Sequence, residues 1–195
     1  VKVIFLDIDG VLNCENGYVN GFCKYMGYIV GGGKQFHYQQ FYPPSKKLLN
    51  KLIDDTDAKI VISSSWRKSG LEFMKEVWKN ENMSGEIIGV TESFKAYTPS
   101  KGDTFSLPRG LEIKQWLIDS KFRRINWSKE EQEKYQKESN IENYIIIDDD
   151  SDMLYCQKEH FVHVKPSPRN KEGFNKEYYD VAYGILTKNL IDLYY

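Results

Sequence analysis

Residues 1–13 read VKVIFLDIDGVLN, and this stretch decides the fold. Val3, Ile4, Phe5 and Leu6 follow one another without polar alternation, the pattern of a strand buried on both faces of a parallel sheet. Gly10 ends the run. Asp7 and Asp9 stand two residues apart at its carboxyl end, so extended backbone turns both to one side and Ile8 to the other. Two like charges at the mouth of a core repel each other and lose hydration. A cation, or a reaction, is expected there to offset that cost.

The rest of the chain repeats the signal. Ile60–Ile62 in AKIVISSSWR, Tyr144–Ile147 in NYIIIDDDSDM, Phe161–Val164 and Ile87–Val90 are further apolar runs. Between them lie helical patterns. Ser45–Ile53 gathers Leu48, Leu49, Leu52 and Ile53 on one face, Leu71–Trp78 gathers Leu71, Met74, Val77 and Trp78, and Leu111–Ile118 gathers Leu111, Ile113, Trp116 and Leu117. A last helix is expected over Asn175–Leu186, with Asn175 as its cap. Strands alternating with helices predict an α/β fold, a Rossmann-like three-layer sandwich around a central parallel sheet. Two segments interrupt the alternation. Residues 13–44, rich in Gly, Tyr and Phe, read as a flap or small cap inserted after the first strand. Residues 121–143 are highly charged and read as an exposed helical insertion.

At 195 residues, one domain with such insertions is expected. The formal net charge of −1 gives no global footprint for nucleic acid or an acidic membrane. No apolar stretch reaches the roughly 18 residues that span a bilayer, and the apolar start is too short and acidic for a signal peptide. Cys14, Cys23 and Cys156 form neither a CxxC pair nor an even framework, which favours a reduced, cytoplasmic setting and disfavours structural zinc. His160 and His163 in HFVHV are expected on opposite sides of a strand. No obligate protein partner is evident.

In open parallel sheets, ligands bind beyond the carboxyl ends of the strands. Just past them here stand Asp7 and Asp9, then Ser63, Ser64, Ser65 and Arg67, then Asp148, Asp149, Asp150 and Asp152. A few carboxylates plus water is the pattern for Mg²⁺. A metal beside one carboxylate, with hydroxyl and cationic donors opposite, is what phosphoryl transfer requires. A calcium loop through Asp148, Asp150, Asp152 and Glu159 fits less well. Its obligatory glycine position holds Met153, and a strand precedes it. Alone, each element has a plainer reading: turn capping for Asp7 and Asp9, a helix cap for one serine, and pairing with the acidic run for Arg67. The glycines 31–33 before Lys34 lack the spacing of a phosphate loop and read as a hinge.

FLDIDGVLN resembles the DxDxT/V signature of haloacid-dehalogenase-like (HAD) phosphatases, and the other elements come in that family's order. Ser63 after KIVI matches its phosphate-binding hydroxyl, Arg109 opening RGLEIKQWL its basic third motif, and IIIDDDSDM its acidic fourth, with Asp148 and Asp152 at DxxxD spacing. The set looks especially like the HAD domains associated with RNA-repair proteins. The resemblance implies Asp7 as nucleophile and Asp9 as general acid/base. It implies magnesium held by Asp7, the Asp9 carbonyl and Asp148, with Asp149 or Asp152 in support, and phosphate held by Ser63 and Arg109, with Ser64 and Arg67 as added candidates. The family's basic residue is usually lysine, and Lys101 and Lys114 lie near Arg109.

The reading is a magnesium-dependent phosphomonoesterase acting through an aspartyl-phosphate on a phosphorylated substrate. A nucleotide or nucleic-acid 3′-phosphate ranks first, with protein phosphotyrosine and small metabolites behind. A receiver-like phosphoacceptor would also use acids, a hydroxyl and the Lys165-Pro166 pair, but its phosphorylated aspartate ends a middle strand, where this chain has serines. A catalytically idle binding module is disfavoured because every expected position is filled. Among the flap aromatics (Tyr18, Phe22, Tyr25, Tyr28, Phe36, Tyr38, Phe41 and Tyr42), most are expected to form a mini-core and one or two to meet substrate.

Overall fold

A computed structural model of the chain describes residues 1–30, 34–98, 103–122, 141–165 and 171–188. All five expected strands form one parallel sheet. In it β1 (Lys2–Leu6) is flanked by β4 (Lys59–Ile62) and β8 (Asn143–Asp148), with β5 (Ile87–Val90) and β9 (Phe161–His163) at the edges. Strand alternation sorts the core into two layers. Ile4, Leu6, Ile60, Ile62, Ile145 and Ile147 face one way, and Val3, Phe5, Val61 and Ile146 face the other.

The first layer is covered by α2 (Pro43–Thr56), α3 (Leu71–Asn80) and α5 (Lys176–Thr187), through residues such as Leu49, Leu52, Met74, Val77, Ala182 and Leu186. A proline pair starts α2, where its missing N–H groups cost nothing. The Asn175 side chain caps α5, accepting from the Glu177 and Tyr178 amides. The second layer is covered by α4 (Arg109–Phe122) through Ile113 and Trp116, and Phe5 meets Trp116 edge-on at 5.3 Å. Because both faces are apolar, a one-residue slip of β1 would drive Asp7 into a core. Each displaced large aliphatic side chain would forfeit about 1.5–3 kcal/mol. The register is therefore tightly held.

That register aligns Leu6 with Ile62 and with Ile147, Ile62 with Val90, and Ile147 with Val162. The next residue on each strand consequently falls on one edge: Thr91, Ser63, Asp7, Asp148 and His163.

After β1 the chain makes a short helix α1 (Glu15–Val19), then an antiparallel hairpin of β2 (Tyr25–Val30) and β3 (Lys34–Gln39). Of the flap aromatics, the side chains of Tyr28 and Phe36 lie outside the described residues. Tyr38 and Phe41 are buried, but Tyr18, Phe22 and Tyr25 are 45%, 49% and 77% exposed. Of these only Tyr25 is on the two-stranded ribbon, which has one face with nothing to pack on. Tyr18 lies on α1, and Phe22 between α1 and β2. A second hairpin, β6 (Lys95–Thr98) with β7 (Asp103–Ser106), was not anticipated. His160 closes a 3₁₀ turn instead of sharing a strand with His163, and each ring bonds a backbone carbonyl, of Tyr144 and Asp149 respectively. Glycines 31–33, Lys101 and most of the charged insertion, 123–140, lie outside the described residues. Among those described, no helix is long and apolar enough to cross a membrane.

Candidate active site

Asp7 leaves β1 with its backbone N–H bonded to the Ile147 carbonyl, and its side chain falls on the same face as Phe5, the face under α4. That geometry brings it to the first residue of α4. Arg109 Nη1 donates to Asp7 Oδ1 at 2.6 Å and to Asp148 Oδ2 at 2.8 Å. Asp7 is 4% exposed and Asp148 fully buried. Asp149 completes the group: oxygens of Asp7, Asp148 and Asp149 all lie within 4.8 Å of one another.

Burial is the main influence on these acids. It raises the Asp7 carboxyl to about 6, against the pull of Arg109 and of the Ser64 hydroxyl. It raises Asp148 to about 8, with the neighbouring Asp7 charge adding to the effect. Asp149 is pushed up by burial and by Asp150. Burial alone would depress the Arg109 guanidinium, but the two carboxylates reverse that and hold it charged. Three clustered carboxylates against one bridging guanidinium leave an excess of negative charge in a desolvated site. Hard oxygen donors so arranged fit a small divalent cation, and the protein spends stability to keep them together.

The acid loop is braced from several sides. The Asp150 amide donates to Asp148 Oδ1 at 2.9 Å, and the Asp149 carbonyl accepts from His163 Nε2 at 3.0 Å. Gly10, at φ +80°, lies so close that a Cβ there would sit 2.2 Å from Asp149 Oδ2. Only glycine allows both the backbone turn and the approach of that carboxylate. Gln157 clamps the loop to α4: its amide nitrogen donates to the Gly110 carbonyl and its oxygen accepts from the Leu154 amide, both at 2.9 Å.

Asp9 takes a different place. The chain turns at Ile8, and the Asp9 carboxylate accepts from Trp66 Nε1 at 3.0 Å and from Asn13 Nδ2 at 3.4 Å. It stands outside the three-acid group. Asp152, expected as a supporting metal ligand, also stands outside it: its Oδ2 accepts from the Arg109 amide at 2.8 Å, so it caps α4 and seats Arg109. Lys114, the described alternative to Arg109, is exposed on α4.

Of the serines, both Ser63 and Ser64 are fully buried. The Ser63 hydroxyl accepts from Thr91 at 3.4 Å, whereas Ser64 Oγ accepts from the Trp66 amide at 3.4 Å and stands beside the Asp7 carboxyl, whose pKa it pulls down. Arg67 donates to the Ser64 carbonyl at 3.2 Å and to Glu112 Oε2 at 2.5 Å. This pair is deeply buried, 9% and 2% exposed, and the Arg67 Nε is buried with no partner among the described residues. Sequence reasoning missed Trp66, Glu112 and Gln157. Only the adjacency of Trp66 to SSS pointed to any of them.

No curated protein and no solved structure matches the chain. A family model described as the HAD domain in Swiss Army Knife RNA repair proteins matches residues 3–177, nearly the whole chain, and the protein belongs to that family.

Proposed function

We propose that the protein is a magnesium-dependent phosphomonoester hydrolase that works through an aspartyl-phosphate, with a nucleotide or nucleic-acid 3′-phosphate as substrate. Family membership suggests a phosphatase-type hydrolase, and the family's description points towards nucleic-acid repair. The observation that carries the reading is the trio of buried Asp7, buried Asp148 and half-buried Asp149 at the carboxyl edge of the sheet, the first two bridged by Arg109. No structural need of the fold calls for three adjacent acids there.

Asp7 attacks phosphorus through a carboxylate oxygen, and the bond from phosphorus to the ester oxygen breaks. Asp9, held outside the trio, gives its proton to that departing oxygen. It then takes a proton from water, whose oxygen displaces Asp7 and releases inorganic phosphate. Arg109 supplies positive charge beside the nucleophile, and Ser64 a hydroxyl donor. Ser63 and Arg67 hold the loop that presents Ser64. Asp7, Asp148 and Asp149 would hold the magnesium ion, which when bound supplies charge neutralisation for the phosphoryl oxygens.

The test is hydrolysis of an aryl phosphate. Turnover is expected to require magnesium and to fall at least about 10³-fold in Asp7→Asn, the scale of losing a covalent nucleophile. Undiminished turnover by that variant would remove the mechanism, and a phosphoryl-aspartate that persists for minutes would indicate a phosphoacceptor.

A further inference from the structure

A cavity of about 310 Å³ lies against Asp9, between the hairpin and the turn after β4. Its aromatic walls are Tyr25, Tyr38, Trp66 and Phe73, and His37, Gln39, Ser65 and Ser69 bring polar atoms to it. No lysine or arginine is among its described lining residues. The register of the hairpin explains the composition. Tyr25 pairs with Gln39 and Gly27 with His37, so these four share one face, and Gly27 keeps that face open.

The cavity is preformed. The Gln39 amide donates to the Cys23 carbonyl and accepts from the Tyr18 hydroxyl, both at 3.2 Å, while Tyr38 donates to buried Glu81 at 3.1 Å. These bonds fix the hairpin root against the sheet domain. Tyr25 nonetheless stays 77% exposed, with most of its ring in water.

The chemistry selects the occupant. A polyhydroxylated or multiply phosphorylated leaving group would call for cations and dense donors. Flat aromatic walls beside one carboxylate suit a neutral planar ring. A phenol ring would use the walls but leave the imidazole and hydroxyls unmatched, whereas a heterocyclic base uses both. The volume sits at the small end of ligand clefts, which run from about 300 to 1,000 Å³. That is room for one nucleoside.

We propose that this cavity is a single-nucleoside site, stacking the base of the leaving nucleoside on Tyr25 and Trp66, whether it belongs to a free nucleotide or to a strand end. The inference rests on the hydrolase reading, because it is the place of Asp9 beside the departing oxygen that directs the leaving group here.

Calorimetry with magnesium present and non-hydrolysable ligands tests it. A nucleoside 3′-phosphonate is expected to bind about 10-fold or more tighter than ethylphosphonate, the size of one base–aromatic stack. Tyr25→Ala should shrink that advantage to about twofold, and Tyr25→Phe, which keeps the ring, should restore it. A strand end of several nucleotides should bind within about threefold of the mononucleotide, and a gain beyond about 10-fold would overturn the single-nucleoside claim. A nucleoside phosphonate no tighter than ethylphosphonate, or a tighter phosphonomethyl-phenylalanine peptide, would overturn the site itself. Because binding is read without turnover, a chain that binds the nucleoside yet hydrolyses nothing sinks the hydrolase reading alone. One that hydrolyses nucleotide and alkyl phosphate alike, with equal affinities, sinks this inference alone.

Discussion

Trp66 Nε1 donates to Asp9 Oδ2 at 3.0 Å, joining the turn after β4 to the turn after β1. The bond fixes one carboxylate at the boundary between the acidic trio and the aromatic cavity. It gives Trp66 two duties, wall and positioning donor.

Trp66→Phe removes the donor and keeps a ring that can pack on Phe41, whose centroid lies 6.0 Å away. A hydrogen bond to a charged group contributes about 1.5–3 kcal/mol, so kcat for an alkyl phosphate should fall about 10-fold or more. With nitrophenyl phosphate, whose leaving oxygen needs little protonation, the loss should be smaller. Equal losses on both substrates would assign Trp66 a packing role instead.

Gly10→Ala tests how the third acid is held. The new methyl would meet Asp149 Oδ2 at 2.2 Å, at a φ of +80°. Left-handed backbone costs a non-glycine residue about 1–2 kcal/mol. With Asp149 as a magnesium ligand, as proposed, its displacement should raise the magnesium concentration for half-maximal activity by about 10-fold or more. Magnesium titration of activity checks this. An unchanged midpoint would exclude Asp149 from the site.

The sheet and its edge were legible because interior parallel strands are continuous apolar runs, and the residue that ends each run must lie on the same edge as its counterparts. Thus Asp7, Ser63 and Asp148 were readable together. The hairpin β6–β7 was not: KAYT and DTFS are short and half polar, and Lys95, Tyr97 and all of DTFS are exposed, so no buried face writes a period. Spacing left Asp149 and Asp152 open as alternatives, and the bond from the Arg109 amide to Asp152 could not be read, because a backbone donor leaves no mark on composition. Trp66, Glu112 and Gln157 act through contacts with residues 57, 45 and 47 positions away. No local pattern records such partnerships.

Glu112 shows the cost of such a hidden contact. It is 2% exposed and accepts from both Arg67 and the Phe94 amide. Burial pulls the Arg67 pKa down, and Glu112 opposes that, yet a guanidinium stays charged in either state. Glu112→Ala should therefore strand a buried cation and cost about 3–5 kcal/mol in urea unfolding. Replacing both partners by apolar residues, Arg67→Met with Glu112→Leu, should cost much less. A double variant as unstable as the single one would show the pair to be worth its burial.

The acidic trio predicts how stability responds to pH and metal together. Asp7 and Asp148 are raised from an ordinary 3.8 to about 6 and about 8, chiefly by burial. In metal-free protein the folded state therefore holds more protons than the unfolded chain between about pH 4 and pH 8. Stability from these groups is full below about pH 4 and drains away as pH rises through both values. On the proposed reading magnesium would bind the ionised carboxylates, so its stabilisation should grow over the same range. In chelator, Tm should fall by several degrees between about pH 5.5 and 8.5, and magnesium should recover more at the upper pH than at the lower. Asp148→Asn should flatten the metal-free slope, since one titrating group is gone, and abolish the magnesium-dependent gain. A metal-free Tm that rises over this interval would mean that the carboxylates are stabilised in ionised form without any divalent ion. In that case Arg109 alone would suffice to neutralise them.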